Sequence, residues 1–479
     1  MNNEHKRSLP SPRLTVNFSL LSASSIVQGV LGFLTVAALA RRLGPGTYGL
    51  YSYTSTWVLL VVPLVQIGIP GWMTRQAAQF PQPERALMIQ EAWNILFWIG
   101  LVCMGVFAGG VSLLPISGSV KLLLWIWSPI LAERALNPLW LYALSQSVKI
   151  PAAAVTGGAV LRLVCTLWLI HRPDQVDRAV LITMGSLMVT MVIPVIHLMA
   201  RHVIKTPYMP TPQGLIAMIR HAIGFAWFGL ASVFYAGIDI VILRQLSTLT
   251  QVGLYTAANR PVVFLGALSA AFLQTFFPAA SRLKHDNPRQ LQQLTLNILR
   301  LLFIVAIPLI MGTVMVSHDL TVAIFGIQYQ GAVPALTLLV CAWAIRAIRE
   351  VLAVNLVVRG KEKQYLRLIL GAGVINAGIM LALVHWGATG VAMALIITQV
   401  VVLSGTVRAL HEGLVGFKTL SKPIAWSIVN GAIMAACIHF LIFHLVLWLA
   451  IGIGIMVYMC LSFGERIVTW NDIVAIWHT

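Results

Sequence analysis

The sequence predicts an all-α polytopic membrane protein of about fourteen spanning helices, and three observations carry that prediction. Hydrophobic residues make up 59% of the 479-residue chain and charged residues only 10%, with a mean hydropathy of +0.87. Soluble domains carry roughly a quarter charged residues, so a surface of this composition would not stay in water. The apolar residues are gathered into runs of about 20 or more, the length that takes a helix across a bilayer core. The basic residues fall between those runs instead of covering a polar domain, which excludes nucleic-acid binding despite a net charge of +18.

Taken in order, the spans are expected at about 18–40, 50–74, 92–114, 120–142, 150–170, 179–200, 221–245, 253–280, 293–316, 333–358, 366–386, 388–408, 424–442 and 445–463. The opening segment, MNNEHKRSLPSPR, is polar and basic and runs into the first span without a credible cleavage site. It reads as a cytoplasmic tail before a retained helix. The last two spans are separated only by a few residues around His444.

Charge sets the orientation. With the N-terminus inside, 20 Lys and Arg fall on cytoplasmic segments and 6 on external loops, with 6 more inside spans, completing the 32. Lys and Arg accumulate on the cytoplasmic side of short loops, so both termini are expected in the cytoplasm and the protein in the cell membrane. No loop is long enough to fold as a separate domain, so any function lies in the bundle.

Several chemistries are missing from the sequence. Cys103, Cys165, Cys341, Cys437 and Cys460 all sit in apolar runs without a CxxC pair, as small buried residues do. No HExxH and no GxxxxGK[ST] occurs, so the chain carries no sign of a metal centre, a cofactor or an ATPase of its own.

An internal repeat organises the spans. Gly49-Leu50-Tyr51 recurs as Gly253-Leu254-Tyr255 at an offset of 204, and Asn94-Ile95-Leu96 as Asn297-Ile298-Leu299 at 203. Gly118-Ser119-Val120 answers Gly331-Ala332-Val333 at 213, and Gly157–Arg162 answers Gly371–Asn376 at 214. Six spans separate the copies, an even number, so the copies enter the membrane in parallel, as the halves of some secondary transporters do. The expected organisation is a tail at 1–13, an N-terminal lobe at 14–205, a C-terminal lobe at 206–410, and two appended spans with a tail at 411–479.

The same segments carry a family resemblance. ARRLGPGTYGLYSY after span 1 is similar to the first-loop signature of Wzx-type polysaccharide flippases of the MOP superfamily, and IDIVILRQLSTLTQVGLYTAANR resembles their span 7–8 hairpin. IFGIQYQGAVPAL resembles their segment before span 10, and WGATGVAMA their turn between spans 11 and 12, so the likeness covers roughly residues 14–410. It implies a MATE-like fold of two six-helix lobes around a central cavity. It also implies alternating-access export of oligosaccharide linked to an undecaprenyl diphosphate carrier, for O-antigen or exopolysaccharide assembly. Membrane lipids and a polymerase machinery would be its partners.

An ionisable residue within a span is costly and marks a functional site by default. Within the spans lie Arg134, Arg162, Arg260, Arg300, Arg346 and Arg349 against Glu133, Asp239 and Glu350. The cations are all arginine, whose planar fork suits phosphate oxygens. Arg134, Arg162, Arg260, Arg346 and Arg349 are therefore candidates for a cationic cavity meeting the carrier's pyrophosphate, with Glu133, Asp239 and Glu350 as coupling or ion-pair residues. Structural readings stand beside these. Arg346 and Glu350 are four apart and can pair along a helix; Asp239 and Arg260 can pair across the span 7–8 hairpin; Arg300 can snorkel; Arg41 and Arg42 can anchor a helix end. The 213 offset maps Glu133 onto Arg346, so the two could latch the lobes or be satisfied separately.

Two other functions compete. A MATE-like antiporter of drugs or small molecules shares the expected fold, although the excess of arginine disfavours cationic cargo. A membrane polysaccharide polymerase or ligase needs a carboxylate or base near the outer face, and the external loops offer only Asp174, Asp177 and Asp319.

Overall fold

A computed structural model describes residues 12–76, 79–145, 149–286, 288–410 and 417–464. The tail at 1–11, the segment 411–416 and the tail from 465 onward, all expected on the cytoplasmic side, lie outside the described residues. Those described form sixteen α-helices joined by short turns, and no strand occurs among them. All fourteen expected spans fall on helices, and eight stretches are long and apolar enough to cross a membrane. Large apolar side chains face outward along them, such as Val374 at 76% and Phe440 at 66% exposure. That surface suits hydrocarbon as the solvent, because each helix satisfies its backbone internally.

The described residues fall into two compact units, Met1–Val241 and Ile242–Thr479. In the first, α1 (Pro12–Gln66) holds spans 1 and 2 in one run broken only at Gly44. Gly44 has φ 74° and ψ 164°, a conformation open to glycine alone, and Pro45 restarts the helix where its missing N–H costs nothing. Span 2 was expected to run unbroken to residue 74. Instead Ile67 and Gly68 turn left-handed, with φ of 48° and 73°, and a separate helix α2 (Ile69–Gln76) follows. Next come α3 (Gln82–Leu113) and the expected single span 4, which is three helices: α4 (Gly118–Trp127), α5 (Pro129–Leu136) and α6 (Leu139–Ser145). Two prolines explain the division. Pro129 opens α5, and Pro138 forces Asn137 before it into an extended conformation with ψ 111°. Then α7 (Lys149–Leu169), α8 (Val176–Ala200) and most of α9 (Pro212–Leu246) complete the unit, with Trp93, Leu96, Trp140, Tyr142, Leu198 and Met218 in one buried cluster.

The second unit contains α10 (Leu249–Asp286), α11 (Pro288–Phe325), α12 (Val333–Val358), α13 (Glu362–Leu383), α14 (Gly387–Ala409), α15 (Ser421–Ile442) and α16 (Leu447–Gly464). The starts of α7 and α13 differ by 362 − 149 = 213 residues and those of α8 and α14 by 387 − 176 = 211, close to the sequence repeat. The tyrosines of the repeated Gly-Leu-Tyr, Tyr51 and Tyr255, are each buried within their own unit. Two helices of the repeat differ: α10 is continuous where span 2 breaks at Ile67 and Gly68, and α12 is continuous where its counterpart is broken in three.

The spacing of Gly105 and Gly109 predicts a close helix contact, but no described atom lies near enough to meet a side chain there. The close approaches are elsewhere. A Cβ at Gly100 would strike Ala135, one at Gly158 would strike Thr190, and one at Gly431 would strike Met311. Small residues at such points let backbones approach where no hydrophobic force drives helices together.

The appended helices α15 and α16 pack on α11, with Ile304, Val316, Met434, Ile438 and Tyr458 in one cluster. Pro308 in α11 has no N–H, so the carbonyl of Ile304 four residues earlier loses its helical donor. The Tyr458 hydroxyl donates to that carbonyl at 2.7 Å. Tyr458→Phe should therefore strand a buried carbonyl and destabilise the protein by about 1–2 kcal/mol. The check is the thermal aggregation midpoint in detergent, which should fall; an unchanged midpoint would mean that α16 does not brace α11.

Candidate functional site

The charged residues of the first unit gather on α5. Pro129 and Pro138 confine it to two turns, so Glu133 and Arg134 sit between two helix breaks instead of on a long smooth span. Glu133 is fully buried, with Oε1 accepting a hydrogen bond from Asn137 Nδ2 at 2.9 Å and Oε2 3.4 Å from Arg134 Nε. The Arg134 side chain is 35% exposed, and its backbone carbonyl accepts from Gln66 Nε2 at 2.9 Å. An ion pair between adjacent residues is thus pinned to the end of α1. Of the two readings of Glu133, satisfaction within its own unit is the one seen here.

Arg162 lies on α7, half-buried, with its Nε buried and without a hydrogen-bond partner among the described residues. Arg42 caps the same helix, donating to the carbonyls of Thr166, Leu167 and Ile170 at 2.9, 2.5 and 2.6 Å. A cation on the last carbonyls complements the helix dipole, and Arg42 is a helix anchor as its position suggested. Asp239, on α9, is buried and accepts from the backbone N–H of Ile240 at 2.9 Å. Arg260, on α10, is half-buried and falls in the second unit.

The second unit brings three sequence candidates together. Positions 346, 349 and 350 share one face of α12 at helical spacing. Arg346 Nε donates to Glu350 Oε1 at 2.8 Å, and Arg349 Nη2 lies 3.7 Å from the same oxygen. Arg349 Nη1 donates to the Tyr365 hydroxyl at 2.7 Å, while its Nε is buried without a hydrogen-bond partner among the described residues. The other side of α12, with Ala344, Ala347 and Val351, packs into the apolar core of the unit. One carboxylate therefore lies within reach of two guanidinium groups.

Exposure divides the pair. Arg349 is buried, with its side chain 7% exposed, whereas that of Arg346 is 51% exposed. Arg346 stands 13 residues from the start of α12 and 12 from its end, in the middle of a membrane-long helix. A half-exposed guanidinium at that depth would be strongly unfavourable against lipid tails, so its open side faces hydrated space. Arg300 is half-buried on α11.

Tyr365 is the residue that sequence reasoning missed. Helices joined by a tight turn at 359–361 would place Arg349 opposite a residue deeper in α13 than Tyr365, which is only three residues past its start. The length of the arginine side chain, reaching toward the end of the helix, makes up the difference. No spacing rule in the sequence signals that contact.

Residues 14–284 match the family of polysaccharide biosynthesis proteins. Over 210 residues the chain is 23% identical to the probable low-salt glycan biosynthesis flippase Agl15 of Haloferax volcanii, a match that covers 43% of this chain and 44% of that protein. The chain thus spans less than half the length of this curated relative. Among solved structures, the lipid II flippase MurJ in an inward closed conformation is similar with a TM-score of 0.73 at 14% identity, over 93% of this chain and 99% of that one. An inward-facing multidrug resistance MATE family transporter of the MOP superfamily follows with a TM-score of 0.62 at 15% identity, over 85% and 99% of the two chains. At these identities the likeness is one of fold, and it bears out the expected all-α polytopic architecture.

Proposed function

Because the chain belongs to the family of polysaccharide biosynthesis proteins, we propose that it is a flippase that moves polyprenyl-diphosphate-linked oligosaccharide outward across the cell membrane by alternating access. The single observation that carries this reading is the mid-membrane position of Arg346, half-exposed beside buried Arg349 with one carboxylate between them. Two planar forks at that depth suit an anion that must cross the apolar centre, and a diphosphate offers the oxygens to engage both. The family and the names of the relative and of the lipid II flippase support the same class of cargo.

In this reading residues 14–205 and 206–410 act as the lobes, and 411–479 supplies the brace on α11 together with a cytoplasmic tail. Arg134, Arg162 and Arg260 would contribute further positive charge along the path, and Asp239 would serve as an ion-pair or coupling residue. A polymerase that consumes the exported product would act downstream. A MATE-like antiporter is the second reading, favoured by the fold likeness alone. Against it, Glu133 and Glu350 are each engaged by arginine, which leaves neither as a lone carboxylate for a cation. Removing the protein from its native cell should abolish surface polysaccharide while the lipid-linked oligosaccharide accumulates unflipped. Normal surface polysaccharide would rule the reading out.

The proposed orientation, with both termini cytoplasmic, makes 201–220 and 282–292 internal and 171–178 and 317–331 external. On a cysteine-free background, a cysteine at position 174 should react with an impermeant maleimide in intact cells and one at 286 should not. The reverse pattern would invert the topology.

A further inference from the structure

We propose that Glu350 is a built-in stand-in for the cargo's phosphate: a tethered carboxylate that holds Arg346 until a diphosphate displaces it. The proposal rests on the anion-site reading above and assigns this residue its part in that site.

A carboxylate and a phosphate compete for the same donors, because both present oxygens in the plane of the guanidinium fork. Glu350 lies one helical turn from Arg346 and bonds its Nε at 2.8 Å. The same Oε1 is only 3.7 Å from Arg349, so one carboxylate oxygen sits between two cations that would otherwise repel. The Glu350 side chain is itself 20% exposed, on the edge of the space onto which Arg346 opens. An arriving anion can reach Arg346 without first crossing the packed side of α12. Arg349 cannot follow Glu350 outward, because the Tyr365 hydroxyl holds its Nη1 at 2.7 Å and the arginine is buried. The roles therefore differ. Arg346 is the exposed ligand that the anion meets first, Glu350 is its competitor, and Arg349, held by Tyr365, is the fixed second ligand. Without a competitor, two arginines at this depth would hold a diphosphate too tightly to let it leave on the far side.

The test uses the purified full chain in detergent, with farnesyl diphosphate as the probe and binding read by calorimetry. Glu350→Gln keeps the shape and removes the charge, so it should bind roughly two- to fivefold tighter than wild type, as expected for losing one partly exposed ion-pair competitor. Translocation by the same variant should slow, since release becomes harder, and that split between tighter binding and slower transport is not expected of a merely structural residue. Tyr365→Phe should bind more weakly by a few-fold, with an unchanged unfolding midpoint when no probe is present. Should Glu350→Gln fail to accumulate, Glu350→Asp carries the test: its shorter reach loosens the Arg346 bond and should tighten binding by a smaller factor. If Arg346→Ala loses the probe but neither Glu350 variant binds more tightly, the competitor role is overturned and the anion site stands. If Arg346→Ala binds the probe as wild type does, the anion site itself falls, and the competitor role with it.

Discussion

Replacing both Arg346 and Arg349 with alanine is expected to reduce export by about a hundredfold or more. Each charge-assisted contact to a phosphate contributes about 1.5–3 kcal/mol, so losing two reaches that range. The protein should still arrive in the membrane, because Glu350 is partly exposed and can tolerate the loss of its partners. If its level does fall, adding Glu350→Gln removes the stranded charge. The triple variant should then recover in amount and remain inactive in export. Lysine at position 346 should rescue only in part, since it keeps the charge and loses the fork. Quantitative immunoblotting beside surface-polysaccharide analysis measures both quantities. Full export by the double variant would remove the cationic site from α12.

The opposite pattern is expected at α5. Arg134→Ala leaves Glu133, fully buried, with Asn137 alone to satisfy it. Breaking a buried ion pair by removing one partner costs about 3–5 kcal/mol, and the lower end applies here because Arg134 is about a third exposed. The variant should accumulate poorly or precipitate on extraction. Arg134→Ala with Glu133→Gln should restore abundance, since a neutral amide no longer needs the cation. If export returns with abundance, Arg134 is structural and leaves the list of arginines that meet the cargo. If abundance returns and export does not, Arg134 serves both purposes.

How far the sequence reaches is seen by comparing α12 with its counterpart. The fourteen spans were legible because the bilayer demands long apolar runs, and the repeat because both halves solve the same packing problem. The i, i+4 bond between Arg346 and Glu350 was readable from helical spacing alone. The division of span 4 was not anticipated, although Pro129 and Pro138 signal it; hydropathy over a long window hides a break that two prolines impose. The Tyr365 contact and the donation of Tyr458 to Ile304 were beyond reach, because each depends on how far a side chain extends between helices. Gly105 and Gly109 mark the converse error, a small-residue spacing at which no described atom comes close enough to meet a side chain. The repeat also paired Glu133 with Arg346, and each has an ion-pair partner on its own helix.

The most direct measurement is translocation by the purified protein in liposomes. A polyprenyl-diphosphate oligosaccharide carrying a fluorescent label would be placed in both leaflets, and an impermeant quencher would report which molecules reach the outside. Proton and sodium gradients of either direction would be imposed in turn, because the chain shows no nucleotide-binding motif and ATP should not be needed. Wild-type vesicles should expose the inner pool under at least one gradient, and vesicles with the Arg346→Ala, Arg349→Ala variant should behave like protein-free ones. Wild-type protein that leaves the inner pool protected under every gradient, while exchanging a small organic cation, would contradict the account.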